Sequence, residues 1–362
     1  MRHADAAPAR IVVRLPNWLG DVVMALPAIA ALRHTFQDAH LTLAAIGSIA
    51  PMFGEETPAR QDQIVVVDKA HEVVALRAGG FDTIVLFPNS FRSAWVAWKA
   101  GIANRWGYSA GVRGPLLTRS VPRPRKDVHQ STYYAELVRG LGFDVDLTAP
   151  RIVPTAATAA RAERLLGDFA LGRLKPAPTA TAESDAAVGA GFPAPSAVEG
   201  SRPIVGFAPG AAYGHAKRWP PDRVAQVVSR LVRERGAVCL LVGAAADREA
   251  GRAIESTLPP DVRVLNLIGR TDLRLLIGVL ARCRAFVSND SGAMHLAAAA
   301  GVPVTAIFGP TNERATAPIG EHDVLLEPVF CRPCMLRECP IDHRCMKRIS
   351  PDAVFASVAR RL

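Results

Sequence analysis

The chain has 362 residues, with 43 Lys and Arg against 33 Asp and Glu, a formal net charge of +10. That length allows two ordinary domains, and a composition 49% apolar but only 6% aromatic suits helices packed on parallel strands better than an antiparallel sandwich. The basic excess is open between an arginine-rich composition and attraction to an acidic partner; no helix-turn-helix, zinc-finger or aromatic RNA-binding signature is present, so nucleic acid ranks last.

The first ten residues are polar and lack the apolar core of a secretory signal. Short apolar runs then alternate with helical patterns. Residues 11–15, 41–46, 64–67 and 83–87 read as strands, with helices expected over 22–33, 70–78 and 90–100. The pattern returns later, with strands over 204–208, 238–242, 262–268, 285–288 and 302–308 and helices over 220–235, 247–256 and 273–283. Such alternation builds right-handed βαβ units and parallel sheets, so an α/β chain of two doubly wound domains is expected. Between the halves, 175–202 is rich in Ala, Pro, Thr, Ser and Gly without a period, and reads as a low-complexity insertion or linker. The expected division is therefore 1–174, 175–202, 203–345 and a terminal helix over 346–362. Residues 291–312 carry no Asp, Glu, Lys or Arg, yet Gly301, Pro303, Gly309 and Pro310 punctuate them. They read as helix, turn and buried strand, and no membrane-spanning segment is expected.

Three segments could carry chemistry. Leu15-Pro16-Asn17-Trp18-Leu19-Gly20-Asp21 follows the first strand, at the carboxyl edge where parallel sheets bind ligands. Asp21 is open between stabilising the positive end of the next helix and acting as a general base. Pro209-Gly210-Ala211-Ala212-Tyr213-Gly214-His215-Ala216-Lys217-Arg218-Trp219-Pro220 is a glycine-rich loop whose Lys217 and Arg218 can neutralise phosphate, though it lacks the spacing of a P-loop. In Ser288-Asn289-Asp290-Ser291-Gly292-Ala293-Met294-His295 a strand gives way to a helix. The N–H groups of Ser291, Gly292 and Ala293 suit a diphosphate. Asp290 is open between capping that helix and accepting donor hydroxyls, and His295 between packing and ligand contact. Four of the six cysteines fall late, as Cys331-x2-Cys334-x4-Cys339-x5-Cys345 beside His343. This spacing is open between a structural zinc or other thiolate-bound metal and reduced packing thiols.

Together these segments, with Pro88-Asn89-Ser90-Phe91-Arg92-Ser93 and Phe308-Gly309-Pro310-Thr311, resemble the ADP-heptose:lipopolysaccharide heptosyltransferase family over most of the chain outside 175–202. The resemblance implies a GT-B architecture, two Rossmann-like domains facing across a cleft, acceptor side first and donor side second. It implies an inverting transfer from ADP-L-glycero-D-manno-heptose to an anionic lipopolysaccharide inner core, with no cofactor needed for catalysis. Trp18 and the late cysteines lean toward addition of the second heptose, onto heptosyl-Kdo-lipid A. The alternatives are another core position (first or third heptose) and a non-catalytic nucleotide-sugar-binding protein; a nicotinamide dehydrogenase is weakened by the missing glycine fingerprint. By likeness Asp21 is the base. Lys217, Arg218, Glu249, Asp290, Ser291, Gly292, Ala293 and His295 form the donor site. Asn17, Arg92 and Arg113 are candidate acceptor contacts, with Arg105 and Arg119 as further basic candidates. A cytoplasmic enzyme in peripheral contact with the inner membrane is the expected setting.

Overall fold

The computed structural model describes residues 8–125, 128–170 and 202–362. All of the 175–202 segment except Arg202 lies outside the described residues. The chain divides into two compact units, Met1–Val153 with Arg314–Ile319, and Pro154–Glu313 with Gly320–Leu362.

The first unit runs β1 Arg10–Arg14, α1 Leu19–Thr35, β2 His40–Ala45, β3 Gln63–Val66, α2 Glu72–Ala78, β4 Thr83–Leu86, α3 Phe91–Lys99, β5 Asn104–Ser109, β6 Arg119–Pro122 and α4 Gln130–Gly140. Its strands form a parallel sheet in the order β3-β2-β1-β4-β5-β6. The central strand β1 holds Ile11, Val12 and Val13 without exposure, as expected where helices cover both faces of a parallel sheet.

The second unit begins with α5 Ala156–Ala170, then β7 Ile204–Ala208, α6 Pro221–Arg235, β8 Val238–Leu241, α7 Arg248–Thr257, β9 Leu265–Asn266, α8 Leu273–Leu280, β10 Ala285–Asn289, α9 Gly292–Ala299 and β11 Val304–Phe308. After α10 Glu313–Thr316, three of whose four residues belong to the first unit, the second unit is completed by β12 His322–Leu326, α11 Arg344–Lys347 and α12 Pro351–Ala359. Its parallel sheet has the order β12-β11-β10-β7-β8-β9, which repeats the connectivity of the first read from the other end. Local chemistry sets the helix ends. Pro221 opens α6 and Gly236, in the left-handed region at φ 61°, closes it; Ser350 caps α12 by accepting from the Ala353 N–H.

The expected α/β class holds. The boundary between units falls earlier than 174, because α5 packs on α8 and its Arg161 pairs with Asp272 at 2.6 Å. The strand expected over 262–268 shortens to Leu265–Asn266, an edge strand that meets β8 at two positions. The expected terminal helix 346–362 resolves into α12 preceded by the short α11. Residues 291–312 form α9, a turn and β11. Among the described residues no helix is long and apolar enough to cross a membrane.

Candidate active site

In each sheet the chain reverses its direction of winding between two central strands, β1 and β4 in the first unit and β7 and β10 in the second. Loops leaving the carboxyl ends of such a pair diverge, and the crevice between them is where open α/β sheets take ligands. The segments singled out in the sequence leave these four strands. Leu15–Trp18 follows β1, Pro88–Ser90 follows β4, the glycine-rich loop follows β7 and Asp290–Ser291 follows β10.

In the first unit Asp21 lies in the first turn of α1, half-buried. The hydroxyl of Tyr134, on the neighbouring α4, donates to its carboxylate; burial first, and then the Asp21 charge, raise the Tyr134 hydroxyl above its ordinary range and keep it a donor. Tyr134 is itself held by stacking on Phe87, with centroids 5.2 Å apart. Arg14, buried at the end of β1, shapes the loop before Asp21. Its guanidinium donates to the Leu15 carbonyl and to Asn17 Oδ1 at 2.9 Å, and pairs with buried Glu72 at 2.6 Å. Glu72 also meets Arg92 at 3.3 Å. Two candidate acceptor residues, Asn17 and Arg92, are thus linked through Arg14 and Glu72, and both remain exposed.

Arg113 is different. Its side chain is 0% exposed, and it donates to the carbonyls of Tyr108 at 2.8 Å and Pro88 at 2.5 Å and to Ser93 Oγ at 3.2 Å. Burial lowers its pKa to about 10. Arg113 therefore organises the loop after β4 from within instead of presenting charge to an acceptor. Arg105 is likewise spent on the carbonyls of Ile102, Ala103 and Leu116, and Arg119 lies over the rings of Trp106 and Phe143.

In the second unit the Lys217 ammonium reaches Asp290 Oδ2 at 2.6 Å, with side chains only 12% and 8% exposed. Thr311 Oγ1, beyond β11, donates to the same oxygen at 2.7 Å. Lys217 also stands 4.8 Å from the Tyr213 ring centre. Ser291, not Asp290, takes the capping position of α9, in extended conformation and without a side-chain cap bond. The Asp290 carboxylate is instead committed to orienting Lys217. An ammonium carries three donors, so one so held still has hydrogens for a phosphate. Ser291, Gly292 and Ala293 are half-exposed at the helix tip, where the first backbone N–H groups have no intrahelical acceptor. His295, one turn in, is 5% exposed, placing it in the packed body of α9.

Asn289 staples the two loops, donating to the Pro209 carbonyl at 2.7 Å and accepting from the Trp219 N–H at 3.2 Å. Arg218 meets Asp247 at 3.3 Å, while its buried Nε makes no hydrogen bond among the described residues. An orphaned buried donor beside a phosphate-type loop is costly unless a ligand oxygen completes it. Glu249 is exposed on the first turn of α7; the buried carboxylate of that strand end is Asp247, which sequence reasoning passes over. Gly210 is required here, because a Cβ would run into the Asp247 carboxyl group. Thr311 and Tyr134 were also missed as partners. Their roles depend on strands or helices far along the chain.

The late cysteines lie on a segment that braces this loop. His343 Nε2 is 2.6 Å from the Ala216 carbonyl, the Ala216 N–H donates to the Arg337 carbonyl at 2.9 Å, and Tyr213 donates to the Met335 carbonyl at 2.9 Å. Arg332 holds the other side through Gly309 and Thr311 carbonyls at 2.7 and 3.0 Å. Cys331, Cys334, Cys339 and Cys345 line one small cavity with Ala216 and Pro310. Burial, then the neighbouring Cys339, Cys331 and Cys334, raise the Cys345 thiol. Among the described residues no three His, Cys, Asp or Glu side chains are set to hold a metal ion, so the zinc expectation gains no support, and none of the four is in a disulfide. Their segment holds two loops of the candidate site together by hydrogen bonds, most of them from side chains to backbone carbonyls.

Residues 73–344 match the family described as Glycosyltransferase family 9 (heptosyltransferase). The chain is 29% identical over 330 residues to lipooligosaccharide heptosyltransferase 2 of Haemophilus influenzae, covering 87% of this chain and 88% of that protein. It is 28% identical over 330 residues to lipopolysaccharide heptosyltransferase 2 of Escherichia coli, covering 86% and 85%. The solved E. coli ADP-heptose LPS heptosyltransferase II superposes with a TM-score of 0.77 at 24% identity, over 97% of this chain and 98% of that one, a likeness of fold.

Proposed function

Because the chain belongs to glycosyltransferase family 9, the heptosyltransferases, and is an enzyme of that class, we propose that it moves a heptose from ADP-heptose onto the heptosylated inner core of lipopolysaccharide, adding the second heptose. The names of the H. influenzae and E. coli relatives support the choice of position. The observation that carries the donor side is the Lys217–Asp290 pair beside the tip of α9, at the winding reversal of the second sheet. We propose the GT-B mode of action, with the base on the first unit and the nucleotide pocket on the second.

The chemistry is a single displacement with inversion. Asp21 takes the proton of the acceptor hydroxyl as that oxygen attacks the anomeric carbon, and the bond to the ADP oxygen breaks as the sugar acquires oxocarbenium character. Negative charge develops on the departing diphosphate. Lys217, already aimed by Asp290 and Thr311, the N–H groups of Ser291 to Ala293, and the unfilled Arg218 Nε offset it, so catalysis needs no cofactor. Tyr134 keeps the Asp21 carboxylate in place. Glu249 would meet the ribose and His295 would support the helix tip. Asn17 and Arg92 would meet the anionic acceptor, whose supply places the enzyme at the cytoplasmic face of the inner membrane.

Asp21→Ala is expected to abolish transfer while ADP still binds, measured by product formation and by titration calorimetry. Wild-type turnover in that variant removes Asp21 as the base. Acceptors bearing no heptose or one heptose test the position, with rapid transfer expected only to the second.

A further inference from the structure

Helix α3 is built inside out. Its small residues Ser93, Ala94 and Ala97, with Val96, face the core, while its three large aromatics lie on the solvent side. Phe91, Trp95 and Trp98 are 50%, 37% and 49% exposed and, at spacings of four and three residues, share one face. The neighbouring α2 adds Val74, 66% exposed. Tryptophan is highly buried on average, so two on one exposed helical face need an explanation that the core does not provide.

Cations ring this patch. Lys99 Nζ lies 5.6 and 5.5 Å from the ring centres of Trp95 and Trp98. Arg77 donates to the Lys99 carbonyl at 2.6 Å, and Arg92 donates to the Lys69 carbonyl at 2.6 Å, which fixes both guanidinia at the borders. Of the acids on residues 66–78 and 91–99, Glu72 is buried under Arg14 and Arg92, and Asp68 is turned to His71 at 3.0 Å. Amphipathic tryptophans beside snorkelling Lys and Arg match the boundary between acyl chains and anionic headgroups.

We propose that the outer face of α2 and α3 docks on an anionic lipid bilayer, with Phe91, Trp95 and Trp98 entering the headgroup region and Lys69, Arg77 and Lys99 meeting lipid phosphates. This deepens the membrane part of the reading above, and its main readout, binding to vesicles, does not require turnover. Co-sedimentation with vesicles of equal parts phosphatidylglycerol and phosphatidylcholine should exceed that with phosphatidylcholine alone and weaken with added salt. Trp95→Ser and Trp98→Ser should each lower partitioning about tenfold, as expected for apolar surface of this size left in water, and Lys99→Glu should reduce the preference for anionic vesicles. Transfer to a water-soluble, lipid-free acceptor and the melting temperature should be unchanged in the tryptophan variants. The proposal is overturned if the double tryptophan variant binds vesicles as wild type does, or if wild type does not prefer anionic ones. It is also overturned if the substitutions impair transfer to the soluble acceptor, or convert an oligomer of the purified protein to monomer.

Discussion

Replacing Lys217 by Met tests whether the pair at the tip of α9 is an organised element or an incidental contact. The side chains are 12% and 8% exposed at 2.6 Å, so solvent does little to screen them. Removing one partner of a buried pair leaves the other charge uncompensated and costs about 3–5 kcal/mol. Here Thr311 still donates to the Asp290 carboxylate, so the lower end, about 3 kcal/mol, is expected. Methionine keeps most of the stem beside Tyr213, which confines the change to the charge. Asp290→Asn should cost a similar amount. The double variant should cost less than the sum of the singles, with a coupling of about 2 kcal/mol. Urea unfolding followed by tryptophan fluorescence, extrapolated linearly, gives each value. ADP titration separates stability from binding: Lys217→Met should weaken ADP by about tenfold or more, the worth of one charge-assisted hydrogen bond of about 1.5–3 kcal/mol. Single costs below about 1 kcal/mol, with additivity in the double variant, would mean that the pair behaves as an exposed one and that the reasoning is wrong.

Tyr134→Phe keeps the stack on Phe87 but removes the hydroxyl that donates to Asp21. Turnover should fall about tenfold with ADP affinity unchanged, and the acid limb of the rate profile should move to higher pH, because losing a donor disfavours the carboxylate form; an unmoved limb separates Tyr134 from the base. Arg113→Met should lower stability by about 3 kcal/mol through the stranded carbonyls of Tyr108 and Pro88, against about 1 kcal/mol for Arg119→Met at the surface; equal urea midpoints would contradict this. Burial alone would raise the Asp323 carboxyl, but Ser357 and the Arg361 and Arg360 guanidinia outweigh it and hold it below 3.8. With the folded value depressed, its contribution is full above the unfolded value and lost as pH falls through the folded one. The urea-midpoint gap between wild type and Asp323→Asn should therefore be open at neutral pH and close in acid, and a gap constant with pH would refute it.

Much of the architecture was legible because buried parallel strands are apolar on both faces. The expected strands at 11–15, 41–46, 83–87, 204–208, 238–242, 285–288 and 302–308 lie within a residue or two of β1, β2, β4, β7, β8, β10 and β11. The strands that escaped notice, Asn104–Ser109, Arg119–Pro122 and His322–Leu326, are polar, partly exposed or on an edge. The loops of the candidate site are marked in the sequence by glycine, cations and small residues following strands. What those residues touch was not. Nothing local marks Tyr134 as a partner of Asp21, or Thr311 as a partner of Asp290, since helix pairing and strand order bring them together. Arg113 misled because arginine is usually exposed, and its burial follows from carbonyls that only the folded loop after β4 presents.

The shared connectivity of the two sheets has a consequence for engineering. Equivalent loops, the first after β1 and the other after β7, carry different chemistry: one a carboxylate, Asp21, the other glycines and the oriented Lys217 ammonium. Each loop rests on its own sheet, so under the proposed function substitutions in the first unit should change which acceptor is used and leave ADP binding unchanged. Chimeras joining the first unit to the second unit of a relative should then take their acceptor preference from the first, and a preference that follows the second would refute that division.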